Sequence, residues 1–414
     1  IWDTYRAAHP LRVLIAPELE TNIINSYLRM ASQTDSLWMP TFPEITGDTR
    51  RMNSNHGVAS IADAYAKGLT DFDLSLAYEA CRRGIENKTL APWSGLPAGE
   101  LDRFYKERGY IPALAPGETE YIPEVHSFEK RQPVAVTLGT AYDQWCLSQI
   151  AGFLGNQTDS AYYANASLNY RNIFNPDTKF FHPKDSAGRF IEPFDYRWPG
   201  GMGAREYYGE NNGWVYRWDV PHNVADLIEL MGGDDAFCAE LDRTFNEPLG
   251  RSKFHFYSQL PDHTGNVGQF SMANEPSLHI PYLYNYAGRP WMTQKRIRTL
   301  LRQWFRNDLM GIPGDEDGGG MSAFVVFSML GFYPVTPGLA EYQIGSPMFD
   351  HATIHLADGK KFEIVAENNS PSNKYIQQAK LNGKPVEGTA LRHADLAAGG
   401  RLVFTMGPEA RKEP

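Results

Sequence analysis

Cysteine is scarce: Cys81, Cys146 and Cys238 are the three thiols in 414 residues. That number and scatter exclude a disulfide framework and a cysteine zinc site, and leave buried thiols as the expected state. No apolar run approaches the roughly 20 residues needed to cross a bilayer as a helix. Positive charge is in deficit, with 39 Lys and Arg against 49 Asp and Glu for a net charge of −10. That balance argues against nucleic acid or an anionic membrane as the main partner. A Gly-x-Ser-x-Gly elbow, a phosphate loop, a dinucleotide fingerprint and a His-Glu-x-x-His pair are all missing. The opening Ile1-Trp-Asp-Thr-Tyr-Arg does not read as a signal peptide.

What is present describes a globular protein, with 42% hydrophobic and 21% charged residues. Aromatics make up 13%, including nine Trp and 22 Tyr, enough for sugar-stacking faces and equally for a large core. Apolar residues recur at helical spacing over 11–30, 56–68, 71–87 (with Asp71 as N-cap), 99–108, 134–154 and 160–174. The pattern resumes over 223–231, 234–245, 293–308 and 321–330, the last stopped by Pro334. Long loops over 175–218 and 251–282 interrupt it, and loops of such length are usually functional. Past Pro337 the composition alternates like short strands near 354–356, 361–365, 376–381 and 402–404, with Asn382-Gly383 as a turn. The expectation is a mainly α fold, with a large domain over 1–336 and a small antiparallel β unit over 337–414. Asn87-Lys-Thr, Asn156-Gln-Thr, Asn165-Ala-Ser and Asn368-Asn-Ser read as glycosylation acceptors in a eukaryotic secretory route only.

Three loops carry the chemistry. Gly314-Asp-Glu-Asp-Gly-Gly-Gly-Met sets Asp315, Glu316 and Asp317 in a glycine-rich loop, where mutual repulsion makes a purely structural purpose poor. Tyr207-Tyr-Gly-Glu-Asn-Asn-Gly-Trp places Glu210 among aromatics, and lost solvation there favours its protonated form, as a general acid needs. Asn274-Glu-Pro-Ser offers oxygen donors on a stiff turn, which suits a hard cation such as Ca²⁺. His279, four residues on from Glu275, fits a structural role as well as a functional one. Carboxylates on separate loops are the usual apparatus of glycosidic bond hydrolysis.

On these residues the chain resembles glycoside hydrolase family 92, the calcium-dependent exo-acting α-mannosidases. The matching runs are Ile1-Trp-Asp-Thr-Tyr-Arg with His9-Pro10, Ile61-Ala-Asp-Ala-Tyr-Ala-Lys-Gly, Gly209-Glu-Asn-Asn-Gly-Trp and Asn274-Glu-Pro-Ser. Tyr282-Leu-Tyr-Asn-Tyr-Ala-Gly, Pro290-Trp-Met-Thr-Gln and 314–333 extend it. The resemblance implies an (α/α)₆ barrel and an inverting mechanism with Glu210 as general acid. One of Asp315 and Asp317 would activate water and the other assist, while Asn274 and Glu275 would bind Ca²⁺. Asp3 falls in a segment that lines the family's mannose pocket, with Trp2, Arg6 and Trp214 as further substrate-binding candidates. The implied substrate is a mannose-containing oligosaccharide such as an N-glycan or yeast mannan, and the implied setting is secreted, periplasmic or cell-surface. The family normally carries a β-sandwich domain ahead of Trp2, expected here as a separate or cleaved partner. The chain departs from the family pattern at Asn211, Leu278 and His263. Two alternatives stand beside this reading: a carbohydrate-binding or inactive relative, and an inverting phosphorylase of (α/α)₆ type.

Overall fold

The computed structural model describes residues 1–412. The long helix Pro133–Phe153 lies at its centre and is buried along nearly its whole length. Apolar and small residues occur on every side of it, and its polar residues Thr137, Thr140, Gln144 and Ser148 are buried with them. Its one charged residue, Asp143, is fully buried, and the carboxylate accepts from the Asn55 backbone N–H and the His56 ring, both at 2.7 Å. Those bonds pin the entry to the helix Gly57–Ala66, itself almost entirely buried. The helices Leu74–Glu86 and Pro17–Ser32 complete this side of the core with Ile24, Leu28, Ala77 and Ile150.

Most expected helices form, with three instructive differences. The pattern over 11–30 is two helices, Ala8–Ile15 and Pro17–Ser32, broken at Ala16. A residue before proline is driven out of the helical region, and Ala16 sits at φ −146° and ψ 58°. The N-cap of Leu74–Glu86 is Asp73, not Asp71: its carboxylate accepts from Leu76 N–H at 2.9 Å. The helix Gly320–Leu330 ends at Gly331, in the left-handed conformation at φ 99°, before Pro334 is reached. Within the long loops the chain forms the helix Lys253–Gln259 and the single turn Gly213–Tyr216, neither legible as a periodic run.

Phe332–Tyr333 passes directly from that helix into a three-stranded antiparallel sheet with Glu341–Ile344 and Ala390–Arg392. A five-stranded sheet follows, in the spatial order Lys384–Pro385, Tyr375–Leu381, Gly400–Gly407, Lys361–Glu367, His351–His355. It is antiparallel as expected except for one parallel pair, Lys361–Glu367 with Gly400–Gly407, in which Ile364 faces Leu402. Asn382 and Gly383 turn the terminal hairpin with φ 51° and 81°. Phe362, Ile364, Leu402 and Phe404 join Leu300, Phe324 and Phe327 in one continuous apolar core, which seats the sheets on the helices.

Candidate active site

Four segments distant in sequence meet at one place: the start of the chain, the loop around Glu210, the turn at Asn274, and the acidic loop 314–320. Glu210 adopts φ 63°, a left-handed conformation that side-chain-bearing residues avoid and that concentrates at functional positions. Tyr216 Oη donates to Gly209 O at 2.7 Å, and Asn212 caps the following turn by accepting from Trp214 N–H at 3.0 Å. Burial pushes the Glu210 carboxyl up to about 8, with Asp262 and Asp3 adding to the rise. Asn274 opposes it by donating from Nδ2 to Glu210 Oε2 at 2.8 Å.

The next residue belongs to a second group. Glu275, Asp3 and Asp317 each bring a carboxylate oxygen within 4.8 Å of the others. Both Glu275 carboxylate oxygens are buried without a hydrogen-bond partner among the described residues. Burial, then the charges of Asp3 and Asp317, hold the Glu275 carboxyl well above the usual range. Burial also pushes Asp3 up to about 6 and raises Asp317. A dry carboxylate facing two others, with no donor of its own, is strongly unfavourable without a cation. A hard cation with oxygen ligands fits this donor set.

Glycines bring the acidic loop this close. A Cβ at Gly314, which sits at φ 71°, would stand 2.7 Å from the Ala273 carbonyl oxygen. At Gly320 a Cβ would stand 3.2 Å from Asp3 O and 3.5 Å from Glu275 Cγ. The three neighbouring carboxylates then separate in use. Asp315 is exposed and lies outside the group of three. Glu316 caps the helix behind, accepting from Gly319 N–H at 2.7 Å and Ser322 N–H at 3.1 Å. Asp317 turns inward to Glu275.

The structure redistributes several expected roles. The Asn274 side chain faces Glu210 and Asn211 rather than the carboxylate group, its Oδ1 accepting from Asn211 Nδ2 at 2.6 Å. Of the four substrate-binding candidates, only Asp3 reaches the carboxylates. Trp2 is buried, with Nε1 donating to Asn53 Oδ1 at 3.2 Å. Arg6 is buried against the Tyr5 ring and 3.6 Å from Asp219. Trp214 is buried under Phe180 and flanked by Arg217 and Arg243. His263 and His279 are buried, each donating from Nε2 to a backbone carbonyl, of Gln269 and Trp218 respectively, at 2.8 Å.

Sequence reasoning missed Asp262. It is half-buried, its carboxyl is raised by burial and by Asp315, and it is the first charge acting on Glu210. Its one signal is its place in the polar loop ahead of Asn274.

The profile of the glycosyl hydrolase family 92 catalytic domain matches residues 1–408. The chain belongs to glycosyl hydrolase family 92. A family 92 α-mannosidase from Bacteroides thetaiotaomicron, solved with mannoimidazole, superposes with a TM-score of 0.87 at 32% identity. That match covers 100% of this chain and 51% of the other. A family 92 inverting mannosidase from the same organism superposes with a TM-score of 0.84 at 33% identity, covering 99% of this chain and 53% of the other. A protein of Arthroderma benhamiae described as an uncharacterized secreted glycosidase is 31% identical over 372 residues, 84% of this chain and 44% of its own. The chain thus spans about half the length of these family 92 relatives. Among the described residues no helix is long and apolar enough to cross a membrane.

Proposed function

We propose that this chain carries the catalytic centre of an exo-acting, inverting, Ca²⁺-dependent α-mannosidase on an (α/α)₆ barrel. The observation that carries the reading is the pairing of a carboxyl raised to about 8, Glu210, with an unpartnered buried carboxylate group one residue beyond its hydrogen-bond partner Asn274. Glu210, protonated at neutral pH, donates its proton to the departing glycosidic oxygen. One of Asp315 and Asp317 takes a proton from the water that attacks the opposite face of the sugar, and the other assists. Asp3, Glu275 and Asp317 would hold the ion. An ion held there would supply Lewis-acid coordination to the hydroxyls of a terminal mannose. Asn274 keeps Glu210 aimed, and Asp262 helps keep it protonated.

The substrate is a mannose-containing oligosaccharide of the N-glycan or mannan kind. The two mannosidases of known structure support a mannoside substrate, and the fungal relative, described as secreted, supports a location outside the cytoplasm. A β-sandwich domain, the partner the resemblance implies, would accompany the chain in the whole protein. A release assay on a panel of α-mannosides, with and without chelator and followed by NMR, tests the reading. β-Mannose as first product, lost in chelator and restored by Ca²⁺, is the expected result. α-Mannose as first product, or full turnover in chelator, would overturn it.

A further inference from the structure

Beside Glu210, and outside the group of Asp3, Glu275 and Asp317, stand two charged side chains with free hydrogen-bonding capacity, Asp262 and Arg205. Asp262 leads into a short hairpin. Thr264 O accepts from Ala273 N–H at 3.3 Å and Gly265 O from Met272 N–H at 3.1 Å, which brings the residues ahead of Thr264 toward the Asn274 turn. Asp262 is half-buried, and its carboxylate accepts no hydrogen bond from any other described residue. Neither of its oxygens is sealed from solvent.

Arg205 comes from earlier in the Glu210 loop and is held at three points. Nε donates to the buried Glu129 carboxylate at 2.9 Å, Nη1 donates to Met202 O at 3.2 Å, and Cζ lies 4.9 Å from the Phe128 ring centroid. Gly203, at φ 65°, makes room for this fold-back, since a Cβ there would stand 1.9 Å from Arg205 Nη1. The remaining nitrogen, Nη2, bonds to no other described residue, and solvent reaches it along a side chain that is 14% exposed. A donor fixed in advance loses little freedom when it binds. Both charges act on the acid itself: burial raises the Glu210 carboxyl, Asp262 adds to the rise and Arg205 opposes it. Arg205 also opposes the rise that burial gives Asp262.

A general acid stands against the glycosidic oxygen, where the two sugars of a substrate join. The terminal mannose is assigned to the carboxylate group, so free polar groups beside the acid and outside that group are left for the sugar that departs. The chemistry of the pair narrows the occupant. An anionic leaving group would meet Arg205 but lie beside the unpaired charge of Asp262. An apolar aryl group would strip water from both charges and return nothing. Sugar hydroxyls serve both, donating to the carboxylate and accepting from the guanidinium. We propose that Asp262 and Arg205 form the subsite for the leaving sugar, with one hydroxyl donating to Asp262 and a second accepting from Arg205 Nη2. The proposal rests on the hydrolase reading of the site and adds the residues that select a sugar as leaving group.

Methyl α-mannoside and the α-linked mannobioses test it. Both leave as alkoxides that need the acid, while only the mannobioses carry a leaving sugar. A shift of Glu210 in a variant therefore cancels in the ratio of their kcat/KM values. At least one mannobiose should outrun methyl α-mannoside in the parent. Asp262→Ala, which removes no side-chain hydrogen bond between described residues, should cut that ratio about tenfold, the scale of a hydrogen bond to a charged group. Arg205→Lys should cut it as well, since lysine keeps the charge beside Glu129 but loses the planar fork. Should Arg205→Lys fail to fold, Asp262→Ala decides alone. A ratio unchanged in Asp262→Ala or in folded Arg205→Lys, or no mannobiose outrunning methyl α-mannoside, would overturn the subsite with the hydrolase reading intact. If the parent releases mannose from none of these substrates, the hydrolase reading fails, and calorimetric binding of the same ligands in Ca²⁺ decides the subsite. A mannobiose margin in affinity that disappears in Asp262→Ala supports it; no margin, or no binding, overturns it.

Discussion

Asn274 donates to Glu210 at 2.8 Å, and the backbone step from Asn274 to Glu275 is all that separates the raised carboxyl from the carboxylate group. One short turn therefore aligns two kinds of chemistry, a proton held ready and a nest of oxygens without donors. Each can be disturbed alone.

Glu210→Gln should cost disaccharide hydrolysis about 10² to 10⁴ in rate, the usual worth of general acid-base assistance. An activated aryl or fluoride mannoside needs no protonation to depart and should lose far less. Steady-state rates on both substrate types read the contrast. Equal losses would place the acid elsewhere.

The pH profile has a definite sign. Glu210 must be protonated to act, and its carboxyl is pushed up to about 8, so kcat/KM should fall as pH rises through that value. Asn274→Ala removes a hydrogen bond that favours the charged form, so the alkaline limb should move upward while the rate drops from lost aim. Folding carries the same linkage. Between the ordinary carboxylate range and about 8, the native state holds a proton that the unfolded chain has released, so stability falls as pH rises across that window. Glu210→Gln should flatten that slope in thermal unfolding.

Asp315→Asn and Asp317→Asn should part company. Asp317 belongs to the carboxylate group and Asp315 does not. Calorimetric Ca²⁺ titration should show binding lost or weakened more than tenfold in Asp317→Asn and Glu275→Gln, and near normal in Asp315→Asn. Unaltered Ca²⁺ affinity in Glu275→Gln would remove that residue as a ligand.

Acid should unfold the protein partly through its histidines. Burial lowers His222, His263 and His279 to about 4, and each meets a backbone carbonyl through one ring nitrogen. Such groups contribute stability that is full above the unfolded histidine value. It is lost as pH falls from about 6.5 toward 4, because the unfolded chain takes up the protons first. Thermal unfolding should show the midpoint dropping across that window, with a smaller drop in His279→Gln.

Helical periodicity, the glycine-rich acidic loop and the change of composition past Pro337 are local properties, and the sequence by itself determined them. Side chains at 3.6-residue spacing specify a helix wherever it packs, and a run of glycines cannot stay helical. Local rules also explain the break at Ala16, since Pro17 restricts the residue before it. Only the tertiary structure decided which of Asp315, Glu316 and Asp317 faces inward, which caps a helix and which meets solvent. Their chemistry and spacing are nearly alike, and the distinction comes from the approach of Asp3 and Glu275, distant in sequence. The same reason hid the hydrogen bond from Asn274 to Glu210, the burial of Trp2, Arg6 and Trp214, and the influence of Asp262. A carboxylate's charge state depends on how much water its neighbours exclude, and those neighbours are assembled by folding.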